Sequence, residues 1–360
     1  MKTYHKFILT VFSKSFIYVF FIMFSLVFIL NILSELEFFR NIDVGLYLPI
    51  YISILNSPAL IFEMFPFIFL ISTQLFFINL FNDNQIQIFK YSGLKNSKIL
   101  TIIAMYSLVL GLIIITLFYN FSSNLKNLYF ELKNNYSADD KYLAVITKNG
   151  LWIKDKIGKS NVIINSSKIE NEFLIDNFIT EFNENYEVER NIRSDKINIS
   201  NNDWIVFNPV IFKKNYYSQN VDQKELIFKT NFNYKKIQSL FSNLSSLSIL
   251  ELLNLRNNYL NLSYSTIEID LHLLRLFNYP IYLVLMTIFS SIIMLKIKWI
   301  ENTTFKISLG LFLSVVIYYI NNFANILGKV EKIPLSLSVF VPIIVLTLIN
   351  ILMINRINEE

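Results

Sequence analysis

Few residues in this chain stand at spacings that do chemistry, and the patterns they form are incomplete. Gly158-Lys159-Ser160 has the ending of a phosphate-binding loop, in which backbone amides and a lysine cradle the phosphates of a nucleotide. The first glycine of such a loop would have to stand where Ile153 does, and the surrounding sequence is strand-rich, so a turn is predicted there. The two histidines, His5 and His272, are far apart and each adjoins an apolar segment. They make no pair at metal-ligand spacing, and no Ser-His-Asp signature accompanies them. With no cysteine, the chain has neither a thiolate metal site nor a disulfide. The carboxylates from about Ser122 to Asp270 are scattered like those of a solvated surface. No catalytic, metal or cofactor site is predicted. If the chain serves an energy-driven process, another chain must supply the ATPase.

The elements that hold these residues are dominated by the membrane. Apolar runs occupy Phe16–Leu33, Pro58–Phe81, Ile99–Phe118, Leu273–Leu295, Phe305–Leu327 and Leu335–Ile354. Each is long enough to cross a hydrocarbon core of about 30 Å, which takes roughly 20 helical residues. A polar island from about Ser122 to Asp270 separates the third run from the fourth. The chain is 54% hydrophobic and only 16% charged, below the roughly 25% charge of soluble domains. Its net charge of +5 does not point to nucleic acid, because many basic residues adjoin the apolar runs. The first run is too long for a signal peptide and lacks a small-residue cleavage site, so it is expected to remain as an anchor.

Lysine and arginine beside the runs set the expected orientation. Lys2, Lys6 and Lys14 precede the first run; Lys90, Lys95 and Lys98 lie between the second and third. Lys296, Lys298 and Lys306 lie between the fourth and fifth, and Arg356 follows the sixth. The first hairpin loop is instead acidic, with Glu35, Glu37 and Asp43 against Arg40. Both termini are thus predicted to be cytoplasmic and the island to lie outside.

Within the island, Leu143–Thr147, Gly150–Lys154, Asn161–Asn165, Phe173–Phe182, Lys196–Ser200 and Trp204–Phe212 are rich in β-branched and aromatic residues. Several alternate apolar and polar side chains, the period of a half-buried strand. Asn149-Gly150, Lys156 to Ser160 and Asn201-Asn202-Asp203 supply turns. A sandwich, jelly roll or open barrel follows. Near 247–262, Leu247, Leu250, Leu253 and Leu260 fall at helical spacing behind Ser246 or Ser248 as cap, predicting an amphipathic connecting helix close to the bilayer.

Between the second and third runs, Ile86, Phe89 and Lys90 share a face at i, i+3 and i+4, and Gly93 follows. This predicts a short surface helix near 84–92 with a glycine cap. In this helix and elsewhere the chain resembles the LptF/LptG permeases of the lipopolysaccharide exporter. The helix ending in Ser92-Gly93-Leu94 is similar to their coupling helix. Ser57-Pro58 and Phe65-Pro66 match paired prolines, and Asn149-Gly150-Leu151-Trp152-Ile153-Lys154-Asp155 resembles a strand that favours the LptG branch. Leu247 to Leu252, and Leu271-His272 through Arg275 to Pro280, resemble the approach to the fourth helix and its opening.

The resemblance implies an α-helical membrane protein with six transmembrane helices (3+3) and an inserted all-β periplasmic jellyroll-like domain. Its parts would be residues 1–121, 122–270 and 271–360. It implies a heterodimer with an LptF-type permease subunit, driven by an LptB-type ATPase dimer. Lipopolysaccharide would leave the inner membrane and pass to LptC and LptA type periplasmic proteins, with membrane lipids around the pair. Gln85, Ile86, Phe89, Lys90, Ser92 and Gly93 would couple to the ATPase, with Ile86 and Phe89 as docking anchors and Gln85 in the place of a family glutamate. For lipid contact it implies Asn31, where relatives carry a lysine, with Arg40 or Arg275 compensating. Glu63 would face the subunit interface or reach headgroups; Asn321, Asn322 and Asn325 would bond across helices or line a polar cavity.

Other classes fit less. An LptF-type paralogue shares the architecture. A membrane-bound enzyme of envelope synthesis would need clustered acids, histidines or a metal motif. A sensor would need a cytoplasmic output module, and the tails here are short.

Overall fold

A computed structural model describes residues 3–134, 136, 151–157, 160–170, 172–213, 216–220, 224–234, 237, 243–261, 264–296 and 303–354. Strand Leu143–Thr147, turn Asn149-Gly150, the Gly158-Lys159 part of the next turn, and Lys2, Lys298 and Arg356 lie outside the described residues. The chain divides into two compact units, residues 1–126 with 267–360, and residues 127–266.

Among its described residues, the first unit contains six helices long and apolar enough to span a membrane. They begin with α1 (Thr3–Phe38) and α2 (Tyr47–Asn82), followed by the short α3 (Gln85–Tyr91). The third span is continuous, running from α4 (Asn96–Ile113) through a π-helical turn (Ile114–Tyr119) into α5 (Asn120–Asn134). The last three are α7 (Ile267–Lys296), α8 (Thr303–Lys329) and α9 (Leu335–Ile354); α6 belongs to the second unit. Helices α1 and α2 have 36 residues each, about 54 Å at 1.5 Å per residue, so they overrun a 30 Å hydrocarbon core.

Helix α7 is the most buried of the six spans and α8 the least. Lipid tails are as apolar as leucine, so helices in a membrane are held by close packing and by hydrogen bonds. Around α7 both are present. Ser290 Oγ donates to Leu70 O of α2 (2.8 Å), Thr287 Oγ1 to Ser107 Oγ of α4 (3.1 Å), and Asn350 Nδ2 of α9 to Leu285 O (3.1 Å). A Cβ on Gly111 of α4 would lie 3.0 Å from Cα of Pro280, so the absent side chain lets α4 and α7 touch.

The described residues of the second unit form an eight-stranded antiparallel sheet ordered β1-β2-β3-β4-β5-β8, with β6 on β4 and β7 on β6. The strands are β1 (Leu151–Ile157), β2 (Ser160–Glu170), β3 (Phe173–Phe182), β4 (Val188–Asn198), β5 (Asp203–Phe207), β6 (Val210–Lys213), β7 (Tyr216–Asn220) and β8 (Glu225–Lys229). The alternation of side chains puts Ile153, Ile164, Leu174, Ile179, Ile192, Ile197, Trp204 and Val206 on one buried face.

Three details differ from the sequence pattern. β4 begins at Val188, because its charged first half alternates around the buried Ile192. Trp204–Phe212 is two strands, since Asn208 takes a positive φ of 45° ahead of Pro209 and turns the chain. Helix α6 (Ile249–Asn261) buries Leu252 and Leu255, whereas Leu250, Leu253 and Leu260 are exposed. Of the stripe visible in the sequence, the three leucines within the helix therefore face outward, and Leu247, ahead of it, is buried. Ser248 is the cap: its amide and hydroxyl both donate to Glu251 Oε2 at 2.8 Å, and Glu251 N donates back to the hydroxyl at 3.4 Å.

The two ends of the sheet are joined by a buried carboxylate. Asp155 in β1 accepts from Thr230 Oγ1 (2.6 Å), Asn231 N (2.9 Å) and Asn231 Nδ2 (2.8 Å), just past β8. Trp204 Nε1 donates to Phe232 O in the same segment (2.8 Å). Thus the sheet curls until its first and last strands approach.

Candidate functional site

Helix α3 is short, and its end is built by the residues that follow it. Gly93 has φ +75°, Gly93 N donates to Lys90 O (3.0 Å), and Leu94 N donates to Phe89 O (2.9 Å). This is a Schellman motif, which a left-handed glycine permits. The face carrying Ile86 and Phe89 turns inward. Both side chains are buried in a cluster with Ile8, Phe12, Phe76, Phe77, Leu80, Ile99 and Ile103. They are therefore not free to anchor a partner: the chain's own α1, α2 and α4 cover them. Exposed instead are Ile88 (52%), Lys90 and Tyr91 (90%), with Gln85 half-buried and Ser92 and Gly93 exposed.

A second feature is a cavity of about 300 Å³ among α2, α7, α8 and α9. It gathers Glu63, Arg275, Asn321 and Asn322 from separate helices, with Phe62, His272, Tyr279, Tyr282 and Tyr318 around them. Phe62 and Tyr279 stack at 4.7 Å, and the Tyr279 hydroxyl donates to Phe62 O. Tyr119, at the end of the π-turn, hydrogen-bonds His272 Nε2 at 2.9 Å. An extra residue in a helical turn re-aims the side chains beyond it, and π-turns recur where function needs that. Lys126 lies in electrostatic range of both Glu63 and His272.

The remaining residues read from the sequence lie elsewhere. Asn31 is buried and joins α1 to α2: its Nδ2 donates to Ser53 O (3.0 Å) and its Oδ1 accepts from Asn56 (3.1 Å). Its amide is committed to helix packing. Arg40 is exposed in the turn after α1. Asn325 is buried, outside the cavity lining, and neither of its amide atoms is hydrogen-bonded to a described residue.

Among the lining residues, His272, Tyr279, Tyr282 and Tyr318 escaped the sequence reading as site residues, although their spacing was visible. His272, Tyr279 and Tyr282 fall with Arg275 at i, i+3, i+7 and i+10, one face of α7. Tyr318 stands three residues before Asn321 on α8. Tyrosine counts toward an apolar run, so a polar face made partly of tyrosine does not stand out from it.

With this geometry in view, comparison with protein-family models gives a match to the lipopolysaccharide export system permease LptF/LptG over residues 6–356. The chain belongs to the LptF/LptG permease family. That family is the permease of the lipopolysaccharide export ABC transporter. Comparison with individual curated proteins gives no match. Membership and six apolar helices make the chain a multi-pass inner-membrane permease with an inserted antiparallel β-domain. The match does not distinguish the LptF branch from the LptG branch.

Proposed function

We propose that this chain is the LptG-type half of a heterodimeric permease that extracts lipopolysaccharide from the inner membrane. The observation that carries this reading is the family match along nearly the whole chain. Leu151 to Asp155, which forms most of β1, supports the LptG branch. Both termini and α3 face the cytoplasm, as the lysine bias around the spans supports. The β-domain lies in the periplasm and passes lipid to LptC and LptA type proteins through a jellyroll-like groove.

Helix α3 couples the chain to an LptB-type ATPase dimer. Ile88 and Tyr91 supply the apolar contact, Gln85 and Lys90 the polar one, and Gly93 ends the helix. Buried Ile86 and Phe89 act from beneath, transmitting the ATPase's movement to α1, α2 and α4. Glu63, Arg275 and Asn321 contact lipid headgroups at the cavity. Affinity purification of the chain from its native membrane tests the reading. A bound ATPase and a second six-helix permease subunit are expected. Their absence, with lipopolysaccharide delivery intact after loss of the chain, would overturn it.

A further inference from the structure

Three polar groups line the cavity without a hydrogen-bond partner among the described residues. Tyr282 is buried (8% exposed), lines the cavity, and its hydroxyl has no hydrogen-bond partner among the described residues. Glu63 and Arg275, both exposed, line the same space and form no ion pair or hydrogen bond with any described residue, although Lys126 acts on Glu63 from a distance. In a membrane-spanning region charges are costly and are normally paired with each other or solvated in a cavity. A buried hydroxyl without a partner is costly as well. Two opposite charges that share a cavity without meeting leave room for a molecule that answers both.

Size and lining narrow the choice. A volume of about 300 Å³ lies at the small end of ligand pockets and holds a headgroup rather than a many-chained glycolipid. Arg275 and the Tyr282 hydroxyl are donors suited to phosphate oxygens. Glu63 is an acceptor suited to a primary ammonium. Phe62 and Tyr279, stacked on each other, add an aromatic wall to the space. Asn321 and Asn322, which have no side-chain hydrogen bonds to described residues, complete a polar wall.

We propose that this cavity holds the phosphoethanolamine headgroup of a bilayer phospholipid, with phosphate at Arg275 and Tyr282 and ammonium at Glu63. The inference rests on the reading of the cavity as lipid-contacting and adds to it the chemistry of the headgroup. Glu63 is the selectivity residue, because an anionic headgroup without an amine meets Arg275 equally well and gains nothing from Glu63.

The test uses the intact permease complex, reconstituted in nanodiscs with equal phosphatidylethanolamine and phosphatidylglycerol and read by native mass spectrometry after mild delipidation. A photoreactive residue in place of Asn322 reports whether retained lipid sits in the cavity. Wild type is expected to retain phosphatidylethanolamine over phosphatidylglycerol by about tenfold or more, the scale of one charge-assisted hydrogen bond. Glu63→Gln should bring the two to parity without lowering phosphatidylglycerol retention. Tyr282→Phe should weaken both lipids at unchanged thermal stability. Equal retention in wild type, or unchanged preference in Glu63→Gln, overturns the headgroup assignment alone. No crosslink to either lipid overturns the lipid-contacting reading beneath it.

Discussion

Replacing Asp155 by alanine should open the inserted sheet along one seam. The carboxylate is buried in β1 and accepts three hydrogen bonds from Thr230 and Asn231, just beyond β8. A hydrogen bond to a charged group contributes about 1.5–3 kcal/mol. The three share one carboxylate, and removing it also removes the cost of burying its charge, so they do not add. A net loss of about 3–5 kcal/mol follows, near the upper end for a single substitution. At about 1.4 kcal/mol per decade, local opening should rise on the order of a hundredfold to a few thousandfold. Hydrogen exchange on the full-length chain, resolved by peptide, reads this directly. Peptides covering β1 and β8 should exchange faster by that factor, while β3 and β4, each paired along both edges, change little. Asp155→Asn, which keeps one acceptor oxygen, should fall between. Unchanged exchange in β1, or equal acceleration across every strand, would refute the idea that one carboxylate closes the sheet.

Three further outcomes follow from the packing. Gly111→Ala should destabilise the bundle by about 1–3 kcal/mol despite alanine's better helix propensity, because the new Cβ meets the Pro280 backbone at 3.0 Å; unaltered thermal stability in detergent would contradict this. Phe89→Ala should cost about 3–5 kcal/mol as a core truncation, whereas Ile88→Asp should leave thermal stability within about 0.5 kcal/mol; the reverse order would place the buried face wrongly. Tyr264 accepts from Lys154 N at 2.7 Å, and burial raises its phenol above the usual 10. The protonated form is the one the fold favours, so its contribution is complete below pH 10 and is lost as pH rises beyond it. The stability difference between wild type and Tyr264→Phe should therefore shrink above pH 10, and a constant difference would contradict that.

The fold was largely legible because hydropathy and period-two alternation act over whole segments. The sixth apolar run, Leu335–Ile354, coincides with α9, and Phe173–Phe182 coincides with β3. Ends were less legible. α1 extends from Thr3 to Phe38, since hydropathy marks contact with lipid while helical hydrogen bonding continues into polar sequence. Gly93 was legible as a helix stop because its left-handed backbone is a property of the residue itself. The direction of Ile86 and Phe89 was not. Periodicity identifies an apolar face but not what covers it, and here the cover comes from α1, α2 and α4. The cavity needed four helices at once. Glu63, Arg275 and Asn321 stand out as polar residues in apolar runs, but the role of Tyr282 shows only in the fold, where its buried hydroxyl has no partner among the described residues.

The central claim is that this chain is half of an ATP-driven lipid extractor. Its most direct test is lipopolysaccharide release from proteoliposomes containing the chain, its partner permease and the ATPase, with a soluble periplasmic acceptor. The account predicts ATP-dependent transfer to the acceptor, lost when Ile88 and Tyr91 are both changed to aspartate while the complex still folds. Transfer at the same rate in vesicles that lack this chain would contradict it.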